Sequence, residues 1–212
     1  MIKFSKVDRG FSLIEVAIAV MVIGIIISFT MKGKGLMESA RLMSVVKQVN
    51  IFKDATYIFF DKYGTMPGDF PRAKEMISES LENGSGNGKI ESINDVKRFW
   101  QQLSVSNILN VELVDGLPIS KVGGCYCVSS NVSSLSGVWI ILCGDSDDNA
   151  SFSGILSPGD AWTIDKAHDT GDPLTGDIRV IKSSNATGDI ISGGKYNVKN
   201  QNKDCVLLFR LF

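Results

Sequence analysis

The distribution of hydrophobic residues changes along the chain, and its first segment is almost continuously apolar. Residues 11–31 are all apolar or small except Glu15. An α-helix rises about 1.5 Å per residue, so this segment is long enough to cross a hydrocarbon core about 30 Å thick. The pattern predicts one membrane-spanning helix that carries a single carboxylate near its start.

The residues before this segment are mostly basic. Lys3, Lys6 and Arg9 outnumber the single acid, Asp8. Short basic flanks stay on the cytoplasmic side of a membrane, so the rest of the chain is expected outside. A secretory signal is the competing interpretation, but it requires an apolar segment of about 7–15 residues that ends in a small-residue cleavage site. The segment here is longer and lacks an Ala-x-Ala exit.

The helical pattern continues beyond the apolar segment but becomes one-sided. No proline occurs before Pro67. Apolar residues recur at helical spacing and define one stripe: Leu42, Val45, Val49, Phe52, Ala55 and Phe59. This spacing predicts one long helix over residues 11–61, whose outer half packs on a globular head. Gly24 is predicted either to bend this helix or to allow close packing with another helix.

The remainder of the chain is expected to form the head. Gly64 and Pro67 end the long helix, and two helical patterns follow at residues 72–82 and 90–109. Short β-rich runs bounded by Gly, Ser and Asn then predict five strands, at residues 111–114, 121–129, 138–143, 177–182 and 204–209. The fold class is therefore predicted as α+β, with a helical spine packed at its outer half on a small antiparallel sheet.

Composition narrows the functional class. The chain has 212 residues, 44% hydrophobic residues and a net charge of −1. This balance does not favour bulk binding to nucleic acid, so no nucleic-acid partner is predicted. His168 is the sole histidine, and no nucleophile elbow or paired catalytic carboxylates are recognisable, so an enzyme is not predicted.

One short motif carries a resemblance to a known family. The run from Gly10 to Val16 reads Gly-Phe-Ser-Leu-Ile-Glu-Val. It resembles the prepilin processing site of type IV pilins and type II secretion pseudopilins. The run Tyr-Gly-Thr-Met-Pro-Gly-Asp at residues 63–69 is also similar to the turn after the long helix in a subset of pilin-like proteins.

The resemblance implies a maturation route and a set of partners. Cleavage is expected between Gly10 and Phe11 by a dedicated membrane peptidase, followed by methylation of the new amino terminus. Residues 1–10 are then a leader, 11–61 the long helix with its transmembrane part at 11–31, and 62–212 a periplasmic or extracellular head. Expected partners are other pilin or pseudopilin subunits, the prepilin peptidase, an inner-membrane assembly platform and lipid.

Glu15 has a physical reason to assist assembly. A charged group in hydrocarbon costs about 2.5–3.5 kcal/mol even on lenient scales. Cleavage creates a positive amine on Phe11, which is expected to pair with Glu15 of an axially offset neighbour. Since either charge alone is poorly solvated, the pair favours assembly and fixes its register.

All four cysteines lie in the segment expected to be exported. An even number there favours disulfides. A hairpin between two strands predicts Cys125 bonded to Cys143, which leaves Cys127 for Cys205; the swapped pairing is the alternative. Zinc and unbonded thiols are the remaining alternatives, although Cys-x-Cys without a second close pair is a weak metal spacing.

A second polar cluster follows a predicted helix start at Ser157. Asp165 and Asp169 are expected one turn apart on one helix face, with Asp172 in the next loop. No cofactor is firmly predicted, but these carboxylates are a candidate Ca²⁺ site. The alternative is that they cap turns and face solvent.

Two functions are compatible with these sequence features. The first is a structural subunit of a type IV pilus or type II secretion pseudopilus, located in the bacterial inner membrane and then in a filament. The alternative is a minor or tip pilin, or another membrane-tethered binding module, that recognises a secreted substrate, a surface or DNA.

Overall fold

The computed structural model describes residues 10, 12–133, 135–144 and 151–212. The helices in these ranges are α1 (Leu13–Tyr63), α2 (Ala73–Met76), α3 (Ile93–Val105) and α4 (Pro158–His168). The strands are β1 (Leu113–Val114), β2 (Leu117–Pro118), β3 (Cys125–Ser129), β4 (Trp139–Cys143), β5 (Ile178–Lys182), β6 (Ile191–Ser192), β7 (Lys195–Tyr196) and β8 (Cys205–Arg210). The predicted α+β class is confirmed by these elements.

Helix α1 begins where the sequence offers a cap and ends where it offers a glycine. The Ser12 carbonyl accepts from the backbone N–H of Glu15 at 3.0 Å, and the Glu15 carboxylate accepts from the Ser12 N–H at 3.4 Å. This exchange satisfies donors at the start of the helix. At the other end Gly64 has a φ of +73° and donates to the Phe60 carbonyl at 2.8 Å, which closes the last turn.

The chain divides into two compact units, residues 1–40 and 41–212. In the first unit the large apolar side chains of α1 whose burial is described are exposed, and none of its apolar window is buried in the protein. By length and composition α1 is able to cross a membrane. The hydroxyls of Ser28 and Thr30 bond to carbonyls of their own helix, at 2.9 Å to Gly24 and 2.8 Å to Ile27. These two hydroxyls therefore need no external partner.

The second unit has one core, built on a four-stranded antiparallel sheet. Its strand order is β3-β4-β8-β5, so the C-terminal strand β8 lies between β4 and β5. Residues Arg41 to Tyr63 of α1 pack on this unit through the predicted apolar stripe, whose six members are all buried. Phe52 is central to this contact because its ring packs edge-on against Trp100 of α3 and Tyr126 of β3, with centroids 4.8 and 5.1 Å apart.

Three sequence predictions require correction in the head. The helix predicted at 72–82 is only the four-residue α2, because Leu81 donates to the Ser78 carbonyl and the chain turns there. Strands β2, β6 and β7 were missed, since two-residue strands carry too few positions to show an alternating pattern. The helix predicted at 90–109 is shorter, and Ser92 caps it by accepting from Asp95 N–H at 3.1 Å.

The packing of Phe52 generates a stability prediction with a neighbouring control. Phe52→Ala is expected to lower the free energy of unfolding by about 3–5 kcal/mol, because it leaves a cavity beside two aromatic rings. Ile51→Ala, one residue earlier, is expected to cost little because Ile51 is 55% exposed and Phe52 only 2%. Chemical denaturation of the detergent-solubilised chain measures both. Equal losses for the two variants would contradict this packing.

Candidate functional site

The N-terminal motif is described from Gly10 onward, except Phe11. Gly10 is exposed, and Ser12 and Glu15 make the capping contacts of α1. Phe11 and the basic leader residues lie outside the described residues. The Glu15 side chain is exposed in the first turn of a helix whose following apolar side chains are also exposed. This carboxylate is therefore accessible to a group on another molecule.

The turn after α1 is held by a buried carboxylate. Asp69 is buried, and its side chain accepts hydrogen bonds from Ser85 Oγ at 3.0 Å, Asn87 N–H at 2.9 Å and Gly88 N–H at 2.8 Å. Asp69 thus orders the glycine-rich loop that follows α2. The sequence motif places Asp69 in a turn but does not connect it to this loop, because the two segments are separated along the chain.

Gly68, next to Asp69, has no room for a side chain. Its φ is +82°, and a Cβ there would lie 2.7 Å from the Asp95 carbonyl oxygen. Its N–H donates to Gln102 Oε1 at 2.7 Å inside the core. The Pro-Gly-Asp turn therefore joins the end of α1 to α3.

The three aspartates predicted as a calcium site have separate backbone partners. Asp165 is buried and accepts from Tyr196 Oη at 2.8 Å and from Gly171 N–H at 3.0 Å. Asp169 accepts from Ile178 N–H at 2.8 Å, and Asp172 accepts from Leu174 N–H at 3.0 Å.

These contacts match the alternative, in which the carboxylates stabilise turns. Within the described ranges, the three aspartates do not form a group whose ligand atoms could hold one ion. Calcium binding by these three carboxylates stays a prediction. Burial raises the pKa of Asp165, and burial together with the hydrogen bond to Asp165 raises the pKa of Tyr196.

The cysteines lie on the two faces of the sheet. Cys125 and Cys143 are directly opposite each other on β3 and β4, and Cys127 is two residues further along β3. Alternate side chains of a strand share a face, so these three lie on the face opposite Tyr126, which packs on α1. Their sulfur atoms all lie within 4.8 Å of one another, and we refer to the three residues as the thiol cluster.

The predicted disulfides are absent from the structure. All four cysteines lie in its described part and none is disulfide-bonded. Tyr126, Leu142 and Leu207 are paired across neighbouring strands, so their side chains lie on one face of the sheet. Cys205 is two residues before Leu207 on β8 and therefore lies on the same face as Tyr126. Cys127 is therefore separated from Cys205 by strand β4 and by the sheet itself, and neither that bridge nor the swapped Cys125–Cys205 bridge is compatible with disulfide geometry.

The thiol cluster has an asymmetric electrostatic environment. Cys127 and Cys143 are buried, whereas Cys125 is half-buried. The Cys143 and Cys127 sulfurs are 3.8 Å apart and hydrogen-bonded. Hydrogen bonding with Cys127 and Cys143 lowers the pKa of the Cys125 thiol to about 4, and the same network raises the pKa of Cys143. Cys125 is therefore expected to ionise before Cys143.

Comparison with known proteins bears on the N-terminal segment. Residues 5–31 match the family model of the prokaryotic N-terminal methylation motif. The chain carries this motif. The recognition of a prepilin-type N-terminus from the residues around Gly10 and Glu15 is confirmed, and the methylation motif ends within the exposed apolar part of α1.

Comparisons of the whole sequence and of the whole structure with known proteins give less information than the match to the methylation motif. No curated protein matches the sequence. A similar solved structure is that of the major type IV pilin PilA1 from Clostridium difficile, with 12% identity over 83% of this chain and 97% of that chain and a TM-score of 0.40. So low a score does not establish a common fold, and the α+β architecture rests on the elements described above.

The environment of Cys125 generates a reactivity prediction. In reduced, metal-free protein at pH 6, iodoacetamide is expected to modify Cys125 first, because its thiol is the most exposed of the four and the neighbouring thiols lower its pKa. Peptide mass spectrometry after short labelling times identifies the modified residue. Cys205 is the internal control, since burial raises the pKa of its thiol to about 12. Equal labelling of Cys205 and Cys125 would contradict this assignment.

Proposed function

We propose that this chain is a pilin-like structural subunit, cleaved by a prepilin peptidase between Gly10 and Phe11 and assembled into a type IV pilus or type II secretion pseudopilus filament. The observation that carries the proposal is the methylation motif at the start of an apolar helix whose spanning window has no protein cover. Apolar surface of this extent requires lipid or other subunits around it. No catalytic role is proposed for the chain.

Two successive environments account for the exposed segment. Before assembly it lies in a membrane, for which we propose the bacterial inner membrane with the N-terminus cytoplasmic and the head periplasmic. After extraction by an inner-membrane assembly platform, the same side chains contact the α1 segments of neighbouring subunits. Such head-to-tail contact between identical chains does not close, and so it produces a filament.

Glu15 supplies the register of this contact. We propose that it pairs with the new amine of Phe11 on an offset neighbour. The Glu15 side chain is exposed, and its hydrogen bond with the Ser12 N–H is weak at 3.4 Å, so little protein structure opposes the intermolecular pair. In an apolar filament core the pair is stronger than it is in water because the local dielectric is low.

A second candidate function is that of a minor or tip pilin, or of another membrane-tethered binding module. One observation favours it: Trp162 is 37% exposed and borders a surface groove. The groove is also lined by Gly171, Asp172, Lys195, Tyr196 and Val198. A partly exposed aromatic ring beside polar groups is suited to a ligand surface, whereas Trp139 is buried in the core.

The pairing role of Glu15 is tested by Glu15→Ala in cells that possess the assembly machinery. The variant is expected to insert and to be cleaved, but to give at least about tenfold less sheared filament. The substitution leaves the neighbouring subunit's amine unpaired, and an unpaired charge in hydrocarbon costs about 2.5–3.5 kcal/mol. A difference of about 1.4 kcal/mol already changes an equilibrium constant tenfold.

The matched control for this experiment is Glu38→Ala. Glu38 is an exposed carboxylate on the same helix but lies beyond the methylation motif. It is expected to leave the filament yield unchanged. Normal yield from Glu15→Ala, or an equal loss from Glu38→Ala, would refute the pairing.

Stoichiometry separates the two candidate functions. If the chain is a bulk subunit, quantitative mass spectrometry of sheared filaments is expected to find it as the dominant protein. If it is a minor or tip subunit, it is expected to be rare relative to another pilin-like chain. Abundance in the membrane fraction of the same cells corrects for expression. A chain that is abundant in membranes but absent from filaments would favour the tethered module.

A further inference from the structure

The thiol cluster has the geometry of a metal site. The cluster is formed by strands β3 and β4, whose register places Cys125 against Cys143 and projects Cys127 from the same face. Two thiolates bound to one ion by bonds of about 2.3 Å lie roughly 3.8–4.0 Å apart. The Cys127 and Cys143 sulfurs are 3.8 Å apart, and all three sulfurs lie within 4.8 Å of one another. A disulfide would require about 2.05 Å.

We propose that Cys125, Cys127 and Cys143 bind one soft, thiophilic metal ion. Thiolate ligands select Cu(I) or Zn²⁺ over hard cations such as Ca²⁺. Within the described ranges the group consists of three sulfur ligands and no fourth acidic or histidine ligand. Cu(I) is the softer of these two ions, so a set of ligands made of sulfur favours it. Binding releases the thiol protons to solvent as metal–sulfur bonds form.

The surrounding backbone holds the three ligands in place. Regular strands position side chains more rigidly than loops do. Gly124, immediately before Cys125, has a φ of +68°, and a Cβ there would overlap the Cys143 carbonyl oxygen. Gly144, immediately after Cys143, donates to the Ser153 carbonyl at 2.8 Å. These glycines allow close approach of the chain at the cysteine end of β3 and β4.

The three thiols of the cluster differ in their exposure to solvent. Cys125 is half-buried and gives an incoming ion access, whereas Cys127 and Cys143 are buried. Cys205 belongs to the opposite face of the sheet and is outside the proposed site. The chain therefore contains its own control cysteine. All of these residues lie in the unit of residues 41–212, so the site does not depend on the proposed filament role.

The experiment is a metal titration of the full-length chain in detergent, reduced and then desalted without oxygen. Cu(I) with a chromogenic competitor, Zn²⁺ and Ca²⁺ are added in separate arms. One equivalent of Cu(I) is expected to bind with an ultraviolet thiolate charge-transfer band, and Ca²⁺ is expected not to bind. Thiolate-dependent binding of one Zn²⁺ in preference to Cu(I) would support the site and identify zinc as its ion.

Two cysteine variants test which residues bind the metal ion. Cys125→Ser is expected to weaken binding at least about a hundredfold, since loss of even an outer-shell partner costs about 10–100-fold. Cys205→Ala is expected to leave both affinity and stoichiometry unchanged. Unchanged binding in Cys125→Ser, or an equal loss in Cys205→Ala that retains its circular dichroism spectrum, would overturn the proposal.

Two measurements on the unmodified chain do not depend on how the variants fold. X-ray absorption at the metal edge is expected to show sulfur ligands at about 2.3 Å. A first shell of oxygen or nitrogen alone would refute the site. Intact mass of the protein isolated after acid trapping and alkylation counts its thiols, and a stable disulfide between any two members of the thiol cluster would also overturn the proposal.

Discussion

The structure depends on one helix that changes its surroundings along its length. Helix α1 is continuous from Leu13 to Tyr63, but its first part exposes its apolar side chains whereas its last part contributes a buried stripe to the head core. Burial of apolar surface is the main favourable term in folding, so the outer part stabilises the head directly. Among the residues that the structure describes, the inner part has no such partner, and the same term favours its contact with lipid or with other copies.

Several loops of the head are held in place by hydrogen bonds to buried carboxylates. In the described part of the head, the buried carboxylates of Asp69, Asp165 and Asp204 accept hydrogen bonds from loop N–H groups. Asp204 immediately precedes the central strand β8 and accepts hydrogen bonds from the N–H groups of Thr187 and Gly188. A buried carboxylate is costly unless it is paired in this way, and removing its partners would leave a strong penalty. The loops are therefore ordered by the core on which they lie.

Much of this architecture is predictable from the sequence because the relevant signals are local. The apolar run, the Ser157 cap and the Gly64 stop are read from neighbouring residues, and each lies where the sequence indicated. The predicted pairing of Cys127 with Cys205 is absent from the structure because it depends on strand register, and the partners of the three aspartates were not predictable because some of them lie in distant segments of the chain. A shift of one residue moves every side chain of a strand to the other face, and nothing local distinguishes the faces of Cys127 and Cys205.

The filament role depends on removal of the leader before assembly, since only a new amine on Phe11 gives Glu15 a charged partner. N-terminal sequencing and intact mass of the protein, purified from cells that contain the prepilin peptidase, measure this directly. The expected product is a chain that starts at Phe11 and is heavier by one methyl group. A chain that starts at Met1 in those cells would contradict the filament role and leave a membrane-tethered head.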